Sequence, residues 1–332
     1  MKRANVLAFV LAGGEGVRLR PLTKDDAKPA LHFAQGHRII DFVLGNLCNS
    51  AVSSIHVLAQ YKPDSLVEHV KTVWAGPCLA PRSGIDVIVS DNYGPVGSFK
   101  GTAHAVQRCL NVMTGCDPDV VAVFAADHVY RMDVQQMVDF HLVRDSDVTV
   151  AGIPVPVDEA ASFGVMSTDA AGRVRQFREK PLRPDPIPAD PARACASMGN
   201  YLFKPQVLED LLYEAVRRGE TDFGAHLMPR LPASGVNVLA YDFASNELPG
   251  IKPYEDRTYW RDVGTLDSLE QARADVEGEF PRFDLRNPEW PIRRDLLTAR
   301  PLGSGRSNAP LRHAGQYHRG IEGRPWTGLD YS

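Results

Sequence analysis

A short apolar run that ends in a glycine-rich loop opens the chain. The run Val6 to Ala12 leads directly into Gly13-Gly14-Glu15-Gly16. Such a run bounded by glycines predicts a buried strand ending in a loop, and glycines let backbone N–H groups approach an anion. Arg18 and Lys28 add two positive charges to the same stretch. The stretch therefore predicts a phosphate-binding loop; the alternative is a glycine-rich hairpin with two incidental surface cations.

Two common phosphate-binding motifs do not match this loop. The dinucleotide fingerprint G-x-G-x-x-G fails because Leu19 stands where the third glycine is required. A P-loop requires Gly-Lys-Ser/Thr after its spacer, and no such tripeptide occurs in the sequence. The loop thus predicts phosphate binding of a different kind.

Short apolar strands and amphipathic helices alternate after the loop. The predicted strands are Ser54–Ala59, Ile85–Val89 and Val120–Phe124, and the predicted helices are Ile39–Asn49, Pro63–Trp74, Gly101–Met113 and Asp133–Val143. This alternation predicts the α/β class, with a mostly parallel central sheet covered on both faces. Sites in such sheets lie beyond the carboxyl ends of the strands. We therefore expect the loop from Gly13 to Lys28, Gln60 and Asp127 to share one crevice.

The second half of the chain continues the sheet into a second lobe. Strands are predicted at Val148–Ile153, Val174–Arg178, Tyr201–Phe203 and Val236–Phe243, and helices at Pro205–Arg217, Asp222–Leu231 and Leu266–Val276. No linker interrupts this part, so residues 1–280 are predicted to form one catalytic unit. Residues 281–332 lack periodicity and are rich in Pro, Gly, Arg and Ser, which predicts an irregular tail.

Charge, hydropathy and cysteine content exclude several classes of protein. The net charge of −4 and the dispersed basic residues argue against nucleic-acid binding. No apolar stretch is long enough for a membrane span. The five cysteines are odd in number and lack metal-ligand spacing, which predicts reduced thiols in a cytoplasmic protein. They are Cys48, Cys78, Cys109, Cys116 and Cys195.

Two aspartates are candidate metal ligands. Asp127 follows a predicted buried strand, and Asp262 lies in a short strand-like segment that ends at Gly264. A carboxylate at the carboxyl end of a strand suits Mg²⁺ close to phosphates. The alternatives are a turn or cap aspartate at Asp127, and a turn or a pair with Arg261 at Asp262.

Glu179-Lys180 ends another predicted strand and suits a sugar phosphate. Lys180 can neutralise a phosphate monoester, and Glu179 can accept hydrogen bonds from sugar hydroxyls. An exposed ion pair is the alternative. Gly164 and Ser197 lie in or beside strand-like segments where a small residue could lie against a sugar.

No activated nucleophile is evident in the sequence. It contains neither H-E-x-x-H nor a G-x-S-x-G elbow. A reaction whose attacking group is already an anion needs alignment and charge neutralisation more than a general base. Attack of a phosphate monoester on the α-phosphorus of a nucleotide is such a reaction.

A set of motifs in a fixed order resembles the bacterial glucose-1-phosphate adenylyltransferases. The motifs are LAGGEGVRLRPLT, AKPALHF, RIIDF, GTAHAV, AADHVYRMD, FGVM, REKP, ASMGNYLF, YWRDVGT and NPEWPIR. The resemblance implies a Rossmann-like nucleotidyltransferase fold. It also implies conversion of ATP and α-D-glucose 1-phosphate to ADP-glucose and diphosphate with Mg²⁺, in the synthesis of glycogen or another α-glucan.

The resemblance assigns roles to individual residues. It implies nucleotide binding by Gly13, Gly14, Gly16, Gln60, Gly101 and Thr102; catalysis by Arg18, Lys28 and Asp127; metal binding by Asp127 and Asp262; and sugar phosphate binding by Phe99, Gly164, Glu179, Lys180 and Ser197. His128, next to Asp127, is interpreted as structural.

The chain departs from the family pattern in three places. Ser98-Phe99 replaces Trp-Tyr, which removes one hydroxyl contact and costs about 0.5 to 1.5 kcal/mol. Asp25 and Asp26 replace basic residues, so binding of an anionic activator there is disfavoured. No β-helix repeat follows the catalytic unit, so we expect a homo-oligomer, or a hetero-oligomer with a full-length relative, that does not assemble through such a domain. Two alternatives remain open, namely a non-catalytic regulatory relative and an enzyme that uses another NTP.

Overall fold

The computed structural model describes residues 3–52, 54–74, 84–90 and 98–293. The strands are β1 Val6–Ala12, β2 Ser54–Ala59, β3 Gly84–Val89, β4 Val120–Ala125, β5 His128–Tyr130, β6 Val148–Pro156, β7 Gly164–Thr168, β8 Val174–Glu179, β9 Arg193–Phe203, β10 Val238–Asp242 and β11 Trp260–Asp262. The α-helices are α1 Ile40–Asn49, α2 Asp64–Val73, α3 Thr102–Arg108, α4 Leu110–Cys116, α5 Val134–Val143, α6 Val157–Ala160, α7 Pro205–Arg218, α8 Met228–Arg230 and α9 Leu266–Ala274.

A mixed, mostly parallel sheet forms the centre of the molecule, as predicted. Its strand order is β10-β6-β9-β4-β1-β2-β3. Strands β4, β1, β2 and β3 are parallel, whereas β9 runs antiparallel to both β4 and β6. The register pairs Leu11 with Ala125 and Ala12 with Ala59. The loops that follow β1, β2 and β4 therefore leave the sheet at the same edge.

Helices cover both faces of the sheet, which explains why β1 is apolar along its whole length. Ala8 and Val10 belong to one buried cluster, with residues of α1 and α2. Leu7 and Phe9 belong to another, with residues of α3 and α7. A strand buried on both faces lacks the alternation of polar and apolar residues that marks a half-exposed strand.

Several predicted elements differ from the observed ones. The predicted helix Gly101–Met113 is divided into α3 and α4 at Cys109, although no glycine or proline marks the break. The predicted helix Asp222–Leu231 begins as a π-helical turn, Phe223–Leu227, before α8. Strand β9 begins at Arg193, well before the predicted Tyr201. Strands β5 and β7 were not predicted, because short strands carry little periodicity. Strand β11 lies within the strand-like segment predicted to end at Gly264.

Residues 281–293 contain no helix or strand, yet they are packed against the rest of the fold. The side chains of Phe283 and Ile292 are buried. The ring of Phe283 stacks on Tyr259 with centroids 4.7 Å apart. Asn49 of α1 donates a hydrogen bond of 2.8 Å to the carbonyl of Pro291. The irregular tail stays a prediction for residues 294–332, which lie outside the described residues.

The described helices and cysteines bear on two expectations from the sequence. None of the helices within the described ranges is long and apolar enough to cross a membrane. Cys109, Cys116 and Cys195 are free thiols. Cys48 is disulfide-bonded, so the expectation that the cysteines are reduced is wrong for this residue.

Candidate active site

A cleft of about 680 Å³ lies at the edge of the sheet where β1, β2 and β4 end. The structure brings every residue that the sequence singled out for the site to this cleft. They are Gly13, Gly14, Gly16, Arg18, Lys28, Gln60, Phe99, Gly101, Thr102, Asp127, Gly164, Glu179, Lys180, Ser197 and Asp262. The roles assigned to them stay predictions.

The glycines of the first loop serve different structural purposes. Gly16 has a φ of +61°, and a Cβ there would lie 3.0 Å from Cγ2 of Thr23 and 3.2 Å from Cβ of Lys28. Its carbonyl accepts a hydrogen bond of 2.8 Å from the Thr23 hydroxyl. A Cβ at Gly14 would meet no atom within 4 Å. Gly16 is therefore required by the turn itself, whereas Gly14 leaves open space beside the cleft.

Lys28 joins the two candidate metal ligands. Its Nζ lies 2.7 Å from Oδ2 of Asp127 and 3.1 Å from Oδ1 of Asp262. The lysine side chain is only 8% exposed, against 36% for Asp127 and 16% for Asp262. The three charges thus form a compact cluster at the base of the glycine loop, with the cation the most deeply buried.

The charges in this cluster control its pKa values. Burial alone would lower the pKa of Lys28, but Asp127 and Asp262 outweigh it and raise that pKa. Burial would likewise raise the pKa of Asp127, but Lys28 and then His128 hold it below its ordinary range. Lys28 and Asp127 are therefore both charged at neutral pH.

A two-stranded antiparallel sheet brings the distant Asp262 to this cluster. Strand β11 pairs with β5, so that Asp262 lies opposite His128. Arg261 fixes β11 to the residue that ends α9, through two hydrogen bonds to Oδ2 of Asp275, of 3.1 and 3.0 Å. After Asp262, a Cβ at Gly264 would lie 2.9 Å from Nη2 of Arg18. The glycine thus leaves room for the guanidinium beside the carboxylate.

His128 is a candidate metal ligand as well. Potential ligand atoms of Asp127, His128 and Asp262 all lie within 4.8 Å of one another. The Nδ1 of His128 is buried and has no hydrogen-bond partner within the described ranges. Two carboxylates and an imidazole can hold a divalent cation. The interpretation of His128 as structural rather than catalytic stays a prediction, and the position of its ring beside two carboxylates would also suit a metal ligand.

Glu179 lies in a tight space between two glycines. A Cβ at Gly164 would lie 3.1 Å from Glu179 Oε2, and a Cβ at Gly224 would lie 2.8 Å from the same atom. Burial raises the pKa of Glu179; the charge of Lys180 opposes this rise and that of Asp222 adds to it. Lys180 has a φ of +43°, and its side chain is 62% exposed. Its ammonium lies 3.5 Å from Oε1 of Glu179.

Gly101 and Thr102 connect the start of α3 to the segment that follows α7. A Cβ at Gly101 would lie 2.5 Å from the carbonyl oxygen of Thr221. The Thr102 hydroxyl donates to Oδ2 of Asp222 and accepts from the N–H of Phe223, both at 2.9 Å. These two residues thus support the cleft wall through their own packing, and their predicted contact with a nucleotide remains a prediction.

Known proteins with similar sequences point to one enzyme family. The sequence matches the family described as Nucleotidyl transferase over residues 7–279. It is 46% identical over 288 residues to the glucose-1-phosphate adenylyltransferase of Thermodesulfovibrio yellowstonii, covering 86% of this chain and 70% of that protein. The enzyme of the same name from Thermus thermophilus is 44% identical over 309 residues, 91% of this chain and 74% of that protein. The one from Mycobacterium ulcerans is 45% identical over 316 residues, 94% and 78% of the two chains.

The chain belongs to the glucose-1-phosphate adenylyltransferase family. The resemblance inferred from the motifs is thereby confirmed. Two departures from the family pattern can now be located. Phe99 is buried and lines the cleft, and its N–H donates to Ser90 Oγ at 3.0 Å. Asp25 has a side chain that is 86% exposed, and its carboxylate lies 3.9 Å from Nζ of Lys62.

Sequence reasoning missed several cleft residues of this glucose-1-phosphate adenylyltransferase family member. Tyr201 is buried, lines the cleft and forms a side-chain hydrogen bond with Ser197. Burial raises the pKa of its hydroxyl above the ordinary value. Ser197, Gly199 and Tyr201 are spaced by two along β9, and all three line the cleft. The period of a strand could therefore have identified Tyr201 from the predicted Ser197.

Proposed function

We propose that this chain is an active glucose-1-phosphate adenylyltransferase, which converts ATP and α-D-glucose 1-phosphate to ADP-glucose and diphosphate. The observation that supports this most is that one cleft contains the glycine loop, the Lys28–Asp127–Asp262 cluster and the Glu179–Lys180 pair. The names of the similar proteins point to the same reaction. The product would serve the synthesis of glycogen or another α-glucan.

The reaction requires no general base. An oxygen of the sugar phosphate attacks the α-phosphorus of ATP and forms a new P–O bond. The bond between the α-phosphorus and the oxygen that bridges to the β-phosphorus breaks, and diphosphate leaves with that electron pair. Because the attacking oxygen is already anionic, the protein has to align the two phosphates and neutralise their charge.

The N-terminal side of the cleft suits the triphosphate. The backbone around Gly14 is open to the cleft, and Arg18 and Lys28 supply positive charge beside it. Preorganised cations of this kind stabilise the charge that develops on the leaving diphosphate. Gln60 follows β2 at the same edge and would contact the base.

The cluster of Asp127 and Asp262 fits Mg²⁺, because hard oxygen ligands from two chain segments converge there. Bound Mg²⁺ would supply neutralisation of the phosphate charges. The protein's own part is to hold the two carboxylates in place. The β5–β11 pairing does this for Asp262, and the end of β4 does it for Asp127.

The β7–β9 side of the cleft suits the sugar phosphate. Glu179 is held by its neighbours, so its carboxylate can accept hydrogen bonds from sugar hydroxyls in a fixed position. Lys180 extends toward solvent from the next position and can pair with the phosphate. We place the enzyme in the cytoplasm, because three of its cysteines, Cys109, Cys116 and Cys195, are free thiols, although Cys48 is disulfide-bonded.

A substrate panel tests the proposal. The purified full chain is incubated with Mg²⁺, glucose 1-phosphate and each NTP in turn, and diphosphate release is measured. Release with ATP alone is the expected result. Release with another NTP alone would reassign the nucleotide, and binding of glucose 1-phosphate without any release would identify a non-catalytic regulatory relative.

The variant Asp127→Asn tests whether diphosphate release depends on the proposed metal site. We expect it to lower diphosphate release by about a hundredfold or more, because it removes one of the two carboxylates placed to hold the metal. Asp158→Asn, an exposed aspartate of α6, is the control and should leave the rate unchanged. Full activity in a folded Asp127→Asn protein would refute the assignment of the cluster.

A further inference from the structure

The ammonium of Lys28 occupies the space between the two carboxylates. It contacts one oxygen of each, Oδ2 of Asp127 and Oδ1 of Asp262. Mg²⁺ lies about 2.1 Å from its oxygen ligands. A divalent cation that shared Oδ2 of Asp127 with the ammonium would therefore lie within about 5 Å of it, and the two positive charges would repel strongly.

The backbone end of Lys28 is fixed, whereas its charged end can move. Its backbone carbonyl accepts a hydrogen bond of 3.1 Å from the N–H of Leu31, within the turn Lys28–Ala30. Its Cβ lies against Gly16, where an added Cβ would come within 3.2 Å. Rotation about three bonds beyond that point can move the ammonium of a lysine. If the ammonium leaves the carboxylates, its stem keeps it beside the glycine loop.

We propose that Lys28 is a built-in counter-ion of the metal site. It neutralises Asp127 and Asp262 when no divalent cation is bound and moves to the phosphate-binding loop when a cation enters. The free protein consequently binds a divalent cation weakly. A phosphate chain in the loop strengthens cation binding, because it attracts the displaced ammonium. This inference rests on the metal site of the proposed function.

The test measures binding of Mn²⁺ to the full chain without nucleotide or sugar. Binding is followed by the loss of the free Mn²⁺ signal in electron paramagnetic resonance. We expect Lys28→Gln to lower the dissociation constant of Mn²⁺ by about tenfold or more, since removing a neighbouring charge changes ion binding by at least that factor. Lys28→Met is treated in the same way if the glutamine variant does not fold.

Lys100→Gln is the matched control. Lys100 lines the same cleft, but within the described residues its side chain contacts neither carboxylate. Its removal should change the dissociation constant by less than about twofold, through the long-range field alone. A Lys28→Gln protein that binds Mn²⁺ no more tightly than Lys100→Gln would overturn the proposal.

A double variant tests whether the tighter binding of Mn²⁺ occurs at the two carboxylates. Adding Asp262→Asn to Lys28→Gln should abolish the tighter binding, because it removes one of the two ligands that the cation gains. Retention of the tighter binding would also overturn the proposal.

The measurement is independent of turnover. If the unchanged chain transfers the adenylyl group but Lys28→Gln binds Mn²⁺ no more tightly, the proposed function stands and the counter-ion is rejected. If Lys28→Gln binds Mn²⁺ more tightly but the unchanged chain turns over no nucleotide, the counter-ion stands and the proposed function is rejected.

Discussion

Close packing surrounds Glu179, on the side of the cleft where we propose that the sugar phosphate binds. The carboxylate is confined by Gly164 on β7 and by Gly224 in the π-helical turn after Asp222. An added methyl group on either side would displace it. Its position is thus determined by the absence of side chains as much as by hydrogen bonds.

Gly224→Ala is therefore expected to impair use of the sugar phosphate. The new Cβ would lie 2.8 Å from Glu179 Oε2, so the carboxylate must move away from the position that suits the sugar hydroxyls. We expect the KM for glucose 1-phosphate to rise about tenfold, and the KM for ATP to stay within about twofold. Gly115→Ala is the control, because a Cβ at Gly115 meets no atom within 4 Å. Equal changes in both KM values would contradict the placement of Glu179.

At the residue scale, the sequence located the site but not all of its members. Asp127 and Gln60 could be predicted because they directly follow buried strands that are easily recognised. Asp222 and Gly224 could not, since their segment was predicted as a regular helix. Lys28 and Asp262 are 234 residues apart, and their contact depends on a pairing of short strands that leaves no periodic signal.

At the scale of elements, a buried histidine joins α5 to the sheet. His141 is 1% exposed, and its Nδ1 lies 2.8 Å from the hydroxyl of Thr149 on β6. Burial, and then the charge of Lys204, lowers the pKa of His141 to about 4. The imidazole is therefore neutral in the folded protein at neutral pH.

This histidine should make the fold sensitive to acid. Its pKa is lower in the folded state than the ordinary value near 6.5. Burial of the neutral imidazole therefore contributes its full stabilisation of the folded state above pH 6.5, and this contribution is lost as the pH falls toward 4. The loss is on the order of 3 kcal/mol in the free energy of unfolding. Urea unfolding at pH 7 and pH 4.5 should show a smaller pH dependence for His141→Leu than for the unchanged chain. An identical pH dependence in both proteins would disprove the role of His141.

The regular elements could be predicted where their apolar runs were long enough to recognise. Strands β1, β2 and β4 are apolar over six or seven residues and were placed correctly. The break at Cys109 was not, because no glycine or proline marks it, although the backbone there leaves the helical conformation with φ −109° and ψ 17°. Most of β9 was missed, since its small residues Ala194, Ala196 and Gly199 resemble a loop.

At the scale of the whole molecule, the segment 281–293, which ends the described chain, packs against α1. A Cβ at Gly45 of α1 would lie 2.4 Å from the carbonyl oxygen of Ile292. Asp41, also on α1, is fully buried and lies 3.5 Å from a guanidinium nitrogen of Arg293. We therefore propose that the catalytic unit extends to Arg293 rather than ending at residue 280.

Two shortened chains test this boundary. A chain ending at Arg293 should retain the free energy of unfolding of the full chain. A chain ending at residue 280 should lose several kcal/mol, because burial of a large apolar side chain contributes about 1.5 to 3 kcal/mol. The buried residues it lacks are Phe283, Leu285, Trp290 and Ile292. Urea unfolding measures both, and equal stability of the two chains would restore the earlier boundary.

The boundary could not be predicted, because a segment that packs without forming a helix or strand shows no periodic pattern of apolar residues in its sequence. Residues 281–293 contain several prolines and charged residues, as disordered segments do. Their apolar side chains are spaced irregularly, and only the surface of α1 and α9 shows why they are there. The α/β class and the mostly parallel sheet, by contrast, followed from the order of the elements alone.

The direction of β9 has a consequence for how this enzyme family can be altered. Strand β9 pairs with β4 only from Asn200 to Phe203, so its earlier residues, Ser197 among them, extend past the carboxyl edge of β4. One residue inserted into β9 would reverse the side chains that follow and turn Tyr201 away from the cleft. The loop 181–191 has no alternation to preserve. Designers who want a longer chain on the sugar side should therefore lengthen that loop and keep the length of β9 unchanged.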